Sequence, residues 1–250
     1  MLGFKLLVIE VRKMIQRPII GVVLDYEDSG SFSSRPHLAL RCAYFEAINI
    51  AGGLPVGLPY LKDSIDKYLN CISGLLIPGG FYSFPPFLYK RLQKKEQLIH
   101  PRYSFESDLV RAALKKNMPV LGICAGMQVL AASEGALLHA SLQDEVETIY
   151  DHLNEKPAEK LAHPVKIEPY TLLHEVLKVE RMTVNTAHNE ALKTIPETVM
   201  VNARAPDGIV EGVELQQYRF AIGVQWHPEF FINVEGPNLR LFQAFLSACK

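Results

Sequence analysis

The sequence predicts an α/β fold in which a mostly parallel sheet carries helices on both faces and an antiparallel strand extension. Two observations predict this fold. In the first half, short apolar runs alternate with stretches of helical spacing, which is typical of parallel strands that are buried on both faces. From about residue 163 to residue 229, strand-like runs follow one another through short turns such as Pro206-Asp207-Gly208, which favours antiparallel pairing.

The elements of the first half can be assigned in order from the hydrophobic pattern. The predicted strands are short apolar runs at residues 19–24, 54–58, 74–77 and 120–123. The predicted helices cover residues 38–51, about 63–69 and 105–116. A helix between successive strands is the connection that a parallel sheet requires. This half therefore predicts the parallel part of the sheet.

The second half contains five strand-like runs and a closing helix. The runs are VKIE, MTVN, TVMVNARA, GIVEGVEL and RFAIGVQW. Residues 236–248 place Leu239, Phe242, Phe245 and Leu246 on one helical face, which predicts a helix packed on the core.

Length and charge exclude several classes of protein. The chain has 250 residues, with 26 Lys plus Arg against 27 Asp plus Glu, a formal charge of −1. Such a balance provides no excess of positive charge to hold nucleic acid or an anionic membrane. We predict one domain over residues 17–250. Residues 1–16 form an uncertain N-terminal segment, which the sequence allows to be an additional strand, a leader or a mobile terminus. The longest apolar run in this segment is too short for a signal peptide or a membrane span.

The four cysteines predict neither a disulfide framework nor a metal site. They are widely spread and include no Cys-x-x-Cys pair. No cluster of His, Asp or Glu has the spacing of metal ligands along the chain. We therefore expect a cytoplasmic protein without a metal or other cofactor.

The most informative motif surrounds Cys124. An apolar strand, residues 120–123, meets this cysteine, and Gly122 and Gly126 lie two positions to either side of it. This spacing is typical of a nucleophile elbow, a sharp strand-to-helix turn that leaves no room for side chains beside the nucleophile. The start of the following helix favours the reactive thiolate. A buried structural cysteine is the alternative, but the two glycines favour a nucleophile.

A histidine and a glutamate near the C-terminus complete a candidate triad. His227 follows an apolar strand, and Glu229 comes two residues later, separated by Pro228. A carboxylate that binds one ring nitrogen sets the tautomer and stabilises imidazolium, so that His227 can carry the proton of the thiol. The order Cys124, His227, Glu229 gives a complete triad.

Acyl transfer also needs donors for the oxyanion. The N–H of Ala125, directly after Cys124, is one candidate, and the N–H of Gly80 in the turn Pro78-Gly79-Gly80 is the other. A Pro-Gly-Gly sequence alone is more often an ordinary turn.

These motifs together resemble a known family. Gly122-Ile-Cys124-Ala-Gly126-Met-Gln128 and Gln225-Trp-His227-Pro-Glu229 are similar to the class I glutamine amidotransferase family. From about residue 17 to 245 the chain resembles the gamma-glutamyl-gamma-aminobutyrate hydrolase branch, through Leu76 to Gly80, Phe105-Glu106, Val184-Asn185-Thr186, Ala205 to Gly208, and Val210-Glu211. The resemblance implies a flavodoxin-like sheet and a γ-glutamyl thioester on the cysteine.

The resemblance also implies roles for individual residues. It makes Cys124, His227 and Glu229 the catalytic residues and Gly80 and Ala125 the oxyanion donors. The implied substrate-binding residues are Gln128, Asn185, Thr186, His188 and Glu190. The chain departs from the family pattern at four places. Tyr82 stands where the family commonly has an acidic residue, Tyr103 where it has an Asp, and Ala125 where it has an Arg. His188-Asn189-Glu190 stands where the family has His-His-Gln. The sequence therefore predicts the reaction type better than the substrate.

Three functions remain open from the sequence. The leading one is a cysteine-dependent hydrolase of the amide bond in a small γ-glutamyl-amine. The alternatives are a glutaminase subunit that supplies ammonia to a separate synthase, and a regulatory protein that keeps the fold without turnover. The expected partner is a small γ-glutamyl substrate, with no nucleic acid and no membrane. A homodimer through exposed helices is compatible with this fold class, and no surface in the sequence selects it.

Overall fold

The computed structural model describes residues 17–90, 99–153 and 159–250. Residues 1–16, for which the sequence leaves several interpretations open, lie outside the described residues. The strands are β1 Ile19–Val23, β2 Asp25–Glu27, β3 His37–Ala39, β4 Leu54–Leu58, β5 Gly74–Ile77, β6 Val120–Ile123, β7 Leu137–His139, β8 His163–Ile167, β9 Arg181–Val184, β10 Ala191–Thr194, β11 Met200–Arg204, β12 Val210–Glu214 and β13 Ala221–Val224.

Seven α-helices and three short 3₁₀ helices connect these strands in the described part of the chain. The α-helices are α1 Cys42–Ile50, α2 Ile65–Cys71, α3 Pro101–Lys115, α4 Ala125–Ser133, α5 Leu142–Glu145, α6 Leu172–Leu177 and α7 Pro237–Ala248. The 3₁₀ helices are Lys62–Ser64, Pro86–Tyr89 and Pro228–Phe230. None of the described helices is both long and apolar enough to cross a membrane.

The predicted sheet is confirmed. Nine strands lie in the order β4-β1-β5-β6-β13-β12-β11-β8-β9. The pairs from β4 to β13 are parallel, and the pairs from β13 to β9 are antiparallel. Strands β5, β6 and β13 are buried at every position, as expected for parallel strands covered on both faces.

Helices cover both faces of the sheet. Apolar side chains of α2, α3 and α4 pack on one face, including Leu69, Leu109 and Leu130. On the opposite face α1, α6 and α7 contribute Ile48, Leu177, Phe242 and other buried side chains. These two layers hold the central strands rigid, and with them the ends of the strands that carry the candidate site.

The structure differs from the sequence prediction mainly at the boundaries of elements. The helix expected over residues 38–51 begins at Cys42, because His37–Ala39 pairs with Asp25–Glu27 as an antiparallel ribbon. The helix expected over 105–116 begins four residues earlier, at Pro101. There the side chain of His100 accepts a hydrogen bond from the Arg102 N–H, and proline suits the first helical position.

Three neighbouring strands bring their carboxyl ends to one edge of the sheet. Strand β5 leads into Pro78-Gly79-Gly80, β6 leads into Cys124, and β13 leads toward His227. Because β6 pairs in parallel with both β5 and β13, all three chain segments leave the sheet on the same side. The carboxyl edge of a doubly wound sheet is where such folds place ligands.

Candidate active site

Cys124 lies at a strained turn between β6 and α4. Its backbone has φ 52° and ψ −111°, in a region that non-glycine residues rarely occupy. The side chain is buried, with 6% of its surface exposed. Strain of this kind persists only where the surrounding structure holds it, and it commonly occurs at functional sites. The turn predicted from the sequence is therefore present, with the sulfur at the start of α4.

Close packing explains why both flanking positions are glycine. A Cβ atom at Gly122 would lie 2.5 Å from the carbonyl oxygen of Gly126. A Cβ atom at Gly126 would lie 2.0 Å from the carbonyl oxygen of Ile77 on the neighbouring strand β5. Both contacts are with backbone atoms, which cannot move aside without shifting the turn. The two glycines thus allow α4 to begin directly against the sheet.

His227 and Glu229 form a buried pair beside the cysteine. Nδ1 of His227 lies 2.7 Å from Oε1 of Glu229, and both side chains are almost fully buried. Burial alone would lower the pKa of His227, but the negative charge of Glu229 and the hydrogen bond to the sulfur of Cys124 raise this pKa to about 10. The imidazole is therefore held in its protonated form at neutral pH, next to the sulfur.

Two further side chains contact this group, and the sequence prediction did not assign them a role. Nε2 of Gln225 donates a hydrogen bond to Sγ of Cys124 at 3.4 Å. The hydroxyl of Tyr44 lies 3.4 Å from Nδ1 of His227 and accepts a hydrogen bond from the N–H of Gly79. Gln225 belongs to the motif around His227, but its spacing alone does not say that its amide faces the sulfur.

Arg102 determines the orientation of the Pro-Gly-Gly turn. Its guanidinium donates hydrogen bonds to the carbonyl oxygens of Pro78 and Gly79 at 2.5 and 3.1 Å. In a trans peptide unit the C=O and the following N–H point in opposite directions. Because Arg102 holds the Gly79 carbonyl, the N–H of Gly80 points away from the guanidinium.

Acidic residues hold the buried guanidinium of Arg102 in place. Oε1 of Glu106 lies 2.8 Å from Nε of Arg102, and Oδ1 of Asp25 lies 2.8 Å from Nη1. The sequence gives no signal that this arginine supports the turn, since its partners come from three separate segments.

A cavity of 290 Å³ lies beside these groups. It is lined by the candidate nucleophile, both candidate oxyanion donors, Gln128 of α4 and residues of three loops: Gly80, Phe81, Tyr82, Ser83, Cys124, Ala125, Gln128, Ala140, Ala187, His188, Asn189 and Glu190. Ala125 is the first residue of α4, so its N–H is one that a helix leaves without an intrahelical partner.

Of the five residues expected to bind substrate, three line this cavity: Gln128, His188 and Glu190. Nε2 of Gln128 donates to the carbonyl oxygen of Glu190 at 2.8 Å and to Oε1 of Gln225 at 3.1 Å. The Glu190 carboxylate accepts a hydrogen bond from the hydroxyl of Tyr89. Burial raises the pKa of Glu190 to about 7 although the Tyr89 hydrogen bond opposes this shift.

Asn185 and Thr186 differ from the expectation. Neither is among the residues that line the cavity. The side chain of Asn185 accepts a hydrogen bond from the His227 N–H and donates one to the His227 carbonyl oxygen. The hydroxyl of Thr186 donates to the carbonyl oxygen of His152. Asn185 therefore fixes the backbone that carries His227 instead of facing the cavity.

The departures at Tyr82 and Tyr103 have structural roles. The hydroxyl of Tyr82 donates to Oε2 of Glu106 at 2.7 Å, and the guanidinium carbon of Arg102 lies 4.8 Å from the centroid of its ring. The ring of Tyr103 packs edge-on against Phe84. An aromatic side chain thus lies at both positions where the family pattern implied by the resemblance has an acidic residue.

Among the residues that the structure describes, one group could hold a metal ion, contrary to the expectation from chain spacing. His152, His163 and Glu211 bring one ligand atom each to within 4.8 Å of one another. These residues come from a loop and from two strands that are not consecutive, β8 and β12. Spacing along the chain could not reveal this group, because the sheet brings its members together.

Comparison with known proteins finds similar sequences over almost the whole chain. The chain matches the family Peptidase C26 over residues 18–229. It is 30% identical to the gamma-glutamyl-gamma-aminobutyrate hydrolase of Escherichia coli O157:H7, over 96% of each chain. It is 32% identical to a protein of Rickettsia prowazekii described as glutamine amidotransferase-like, over 95% of this chain and 99% of that relative.

A solved structure supports the fold independently. The CTPS glutaminase domain of Trypanosoma brucei superposes with a TM-score of 0.60 at 19% identity, covering 93% of each chain. The resemblance to the class I glutamine amidotransferase family and the flavodoxin-like fold are thus both confirmed. The chain belongs to the Peptidase C26 family, a glutamine amidotransferase-like family of hydrolases that act on amide bonds.

Proposed function

We propose that this protein hydrolyses the γ-glutamyl amide bond of a small γ-glutamyl-amine through a thioester on Cys124. One observation carries the proposal. The sulfur on its strained turn and the two residues with the candidate oxyanion N–H groups, Gly80 and Ala125, line one cavity of 290 Å³. The buried His227–Glu229 pair lies beside this sulfur. A nucleophile, an acid–base group, its orienting carboxylate and oxyanion donors are the parts that acyl transfer requires.

In the first half of the reaction the thiolate of Cys124 attacks the γ-carbonyl carbon of the substrate. The carbonyl oxygen becomes an oxyanion, which the N–H groups of Gly80 and Ala125 stabilise. The tetrahedral intermediate collapses when the carbon–nitrogen bond breaks and protonated His227 donates its proton to the leaving nitrogen. The amine departs, and the glutamyl group stays on the sulfur as a thioester.

In the second half water replaces the amine. Neutral His227 takes a proton from water, and the resulting hydroxide attacks the thioester carbonyl. The carbon–sulfur bond breaks, glutamate leaves, and the pair of thiolate and protonated imidazole is restored. Glu229 accepts the Nδ1–H bond of His227 throughout, which holds the ring with Nε2 toward the reacting atoms.

The substrate class is supported by the relatives and by the cavity. The Escherichia coli O157:H7 relative is named gamma-glutamyl-gamma-aminobutyrate hydrolase, and this chain matches almost its whole length. The cavity beside Cys124 has the volume of a site for a small molecule. Gln128 and Glu190 face it, and both present polar groups that suit a glutamyl moiety with an amine substituent.

A glutaminase subunit is the second candidate. The Rickettsia prowazekii relative is described as glutamine amidotransferase-like, and the fold is shared with a glutaminase domain. The same chemistry on free glutamine releases ammonia, so that the two functions differ in the leaving group and in the need for a partner. Activity on glutamine that appears only with a synthase present would favour this candidate.

A screen of γ-glutamyl amides tests the proposal. Purified protein is incubated with glutamine and with γ-glutamyl conjugates of amino acids, monoamines and polyamines, and free glutamate and amine are measured by mass spectrometry. The proposal predicts stoichiometric release of both products from at least one conjugate, at a higher kcat/KM than for glutamine. Release from none of the conjugates by the folded protein would refute it.

A further inference from the structure

Three imidazoles surround one buried carboxylate beside the antiparallel part of the sheet. Nδ1 of His152, Nε2 of His163 and Nε2 of His188 lie 3.4, 3.7 and 3.4 Å from the same oxygen, Oε1 of Glu211. All four side chains are at most 3% exposed. Within the described ranges, the ion pairs of Glu211 involve only these imidazoles.

The outer nitrogen of each ring fixes its tautomer. Nε2 of His152 lies 2.8 Å from a carboxylate oxygen of Asp207, and Nδ1 of His163 lies 3.1 Å from the carbonyl oxygen of Pro164. Nδ1 of His188 lies 3.0 Å from the carbonyl oxygen of Glu190. Carbonyl and carboxylate oxygens only accept hydrogen bonds, so each outer nitrogen carries the proton. Where a ring is neutral, its inner nitrogen therefore presents a lone pair toward Glu211.

Four side chains that can donate electron pairs thus face one another inside the protein. The inner nitrogens of His152, His163 and His188 and both oxygens of Glu211 make no hydrogen bond with any of the described residues. Buried polar atoms are rarely left in this way, because each costs free energy that a partner would recover. A cation bound among them would accept an electron pair from each of the four side chains at once.

We propose that His152, His163 and Glu211, whose ligand atoms lie within 4.8 Å of one another, bind a divalent transition metal ion of the zinc class, and that His188, 3.4 Å from Glu211, supplies the fourth ligand. Three imidazoles and one carboxylate are a ligand set that zinc accepts in tetrahedral geometry. Zinc bonds of about 2.0–2.2 Å place tetrahedral ligands about 3.3–3.6 Å apart. The three distances from ring nitrogens to Oε1 of Glu211, 3.4, 3.7 and 3.4 Å, are close to this spacing. The hydrogen bonds of the outer nitrogens are the arrangement that orients histidine ligands of metals.

The proposed metal site adjoins the loop that lines one side of the reaction cavity. His188 lines the 290 Å³ cavity, and the carbonyl oxygen of Glu190 that accepts its Nδ1–H also accepts the hydrogen bond from Gln128. An ion bound to His188 would therefore anchor this loop to strands β8 and β12. With four protein ligands the site is closed, so that its role is structural.

A second cavity offers a path for the ion. It measures 320 Å³ and is lined in part by Thr148, Tyr150, Asp151, His152 and His188. Polar side chains of the loop that contains His152 thus line this cavity between the surface and two of the four ligands, His152 and His188. An entry path and a satisfied set of outer hydrogen bonds are both expected of a metal site.

Metal content and thermal stability of the wild-type protein test the proposal. The chain is purified without chelators, incubated with zinc chloride and dialysed, and its zinc is measured by elemental mass spectrometry. We expect one zinc per chain and a rise in Tm on the order of 10 °C over chelator-treated protein. A zinc content below about one tenth of an equivalent per chain, or an unchanged Tm, would overturn the proposal. The four side chains would then hold protons and no metal ion.

Variants and diffraction locate the ion. Glu211→Gln and His163→Gln should each lose zinc and the zinc-dependent rise in Tm, whereas His174→Gln, on helix α6 outside the cluster, should retain both. Should the ligand variants fail to fold, anomalous diffraction of zinc-loaded wild-type crystals decides. A peak among the four ligand atoms supports the proposal, and zinc found only elsewhere, or retained in folded Glu211→Gln, contradicts it.

Discussion

Nη1 of Arg102 lies 3.1 Å from the carbonyl oxygen of Gly79, and this hydrogen bond directs the next N–H of the chain away from the guanidinium. The N–H in question belongs to Gly80, one of the two candidate oxyanion donors. A Cβ atom at Gly80 would lie 2.0 Å from the same Nη1, which shows how closely the guanidinium fits the turn. Arg102 is therefore a positioning residue in the proposed mechanism.

Arg102→Lys tests this positioning role. Lysine keeps the charge beside Glu106 but lacks the planar fork that holds two carbonyl oxygens together. We expect kcat to fall at least 10-fold, toward the 10²- to 10³-fold typical of losing an oxyanion donor, while KM changes little.

Arg111→Lys, on the exposed side of the same helix, is the control and should retain wild-type kcat. Steady-state kinetics with circular dichroism to verify folding make the comparison. A folded Arg102→Lys protein with unchanged kcat would remove Arg102 from the account.

His227 and Glu229 should differ in how much the reaction depends on them. His227→Asn removes the group that carries the proton, so kcat should fall by on the order of 10⁴ or more. Glu229→Gln keeps a side chain of the same shape near Nδ1 and should reduce kcat less, because the carboxylate orients and stabilises the ring without transferring the proton itself. Initial rates of the two variants are measured on one substrate. Equal losses, or a greater loss in Glu229→Gln, would contradict these roles.

The pH dependence of kcat/KM should follow the pair formed by Cys124 and His227. Because the pKa of His227 is raised to about 10, its proton is present below that pH and is lost as pH rises through it. Loss of this proton removes the acid for the leaving amine, so that kcat/KM should fall on the alkaline side near pH 10. This ionisation belongs to the coupled pair of thiol and imidazole and not to one residue.

The pH profile is measured between about pH 5 and 11, and each sample is returned to neutral pH to verify that activity recovers. A profile that stays level through pH 10, in an enzyme whose chemical step limits the rate, would contradict the assignment of His227 as the acid.

Glu190 should influence which amine is preferred. Its carboxylate lines the cavity at a position where the family pattern implied by the resemblance has a neutral glutamine, and it should favour a cationic substituent on the substrate over an anionic one. Glu190→Gln should therefore lower the ratio of kcat/KM for a γ-glutamyl polyamine to that for γ-glutamyl-γ-aminobutyrate. An effect of about 1 kcal/mol corresponds to a change in this ratio of about 5-fold.

Both ratios are determined well above pH 7, where the Glu190 carboxyl is ionised. Glu197→Gln removes an exposed carboxylate away from the cavity and serves as the control. If Glu190→Gln changes the ratio no more than Glu197→Gln does, the electrostatic explanation of specificity is wrong.

Local motifs made part of this site predictable from the sequence. The turn at Cys124 depends on Gly122 and Gly126. Because both glycines lie within two residues of Cys124, the local sequence alone predicts this turn. The buried strand before Cys124 is equally local. His227 and Glu229 share one short segment, and their 2.7 Å contact follows from it.

Features that depend on the assembled fold could not be predicted. Asn185 was expected at the substrate because of its motif, but a motif does not specify direction, and its amide binds the backbone of His227. Arg102 receives its partners from distant segments, and the cluster around Glu211 forms only when β8, β12 and two loops meet. Boundaries such as the start of α1 were displaced by pairing between β2 and β3, which depends on tertiary structure.

The central claim is that Cys124 becomes acylated during turnover, and trapping the intermediate tests it most directly. Wild-type protein is mixed with a γ-glutamyl-amine that it hydrolyses, quenched in acid, digested and analysed by mass spectrometry. We predict a glutamyl group on the peptide that carries Cys124, and its absence in Cys124→Ala together with a loss of kcat on the order of 10⁴ or more. Cys42→Ala, Cys71→Ala and Cys249→Ala should retain both the adduct and the activity. Full activity in folded Cys124→Ala, or a glutamyl group on another cysteine only, would contradict the account.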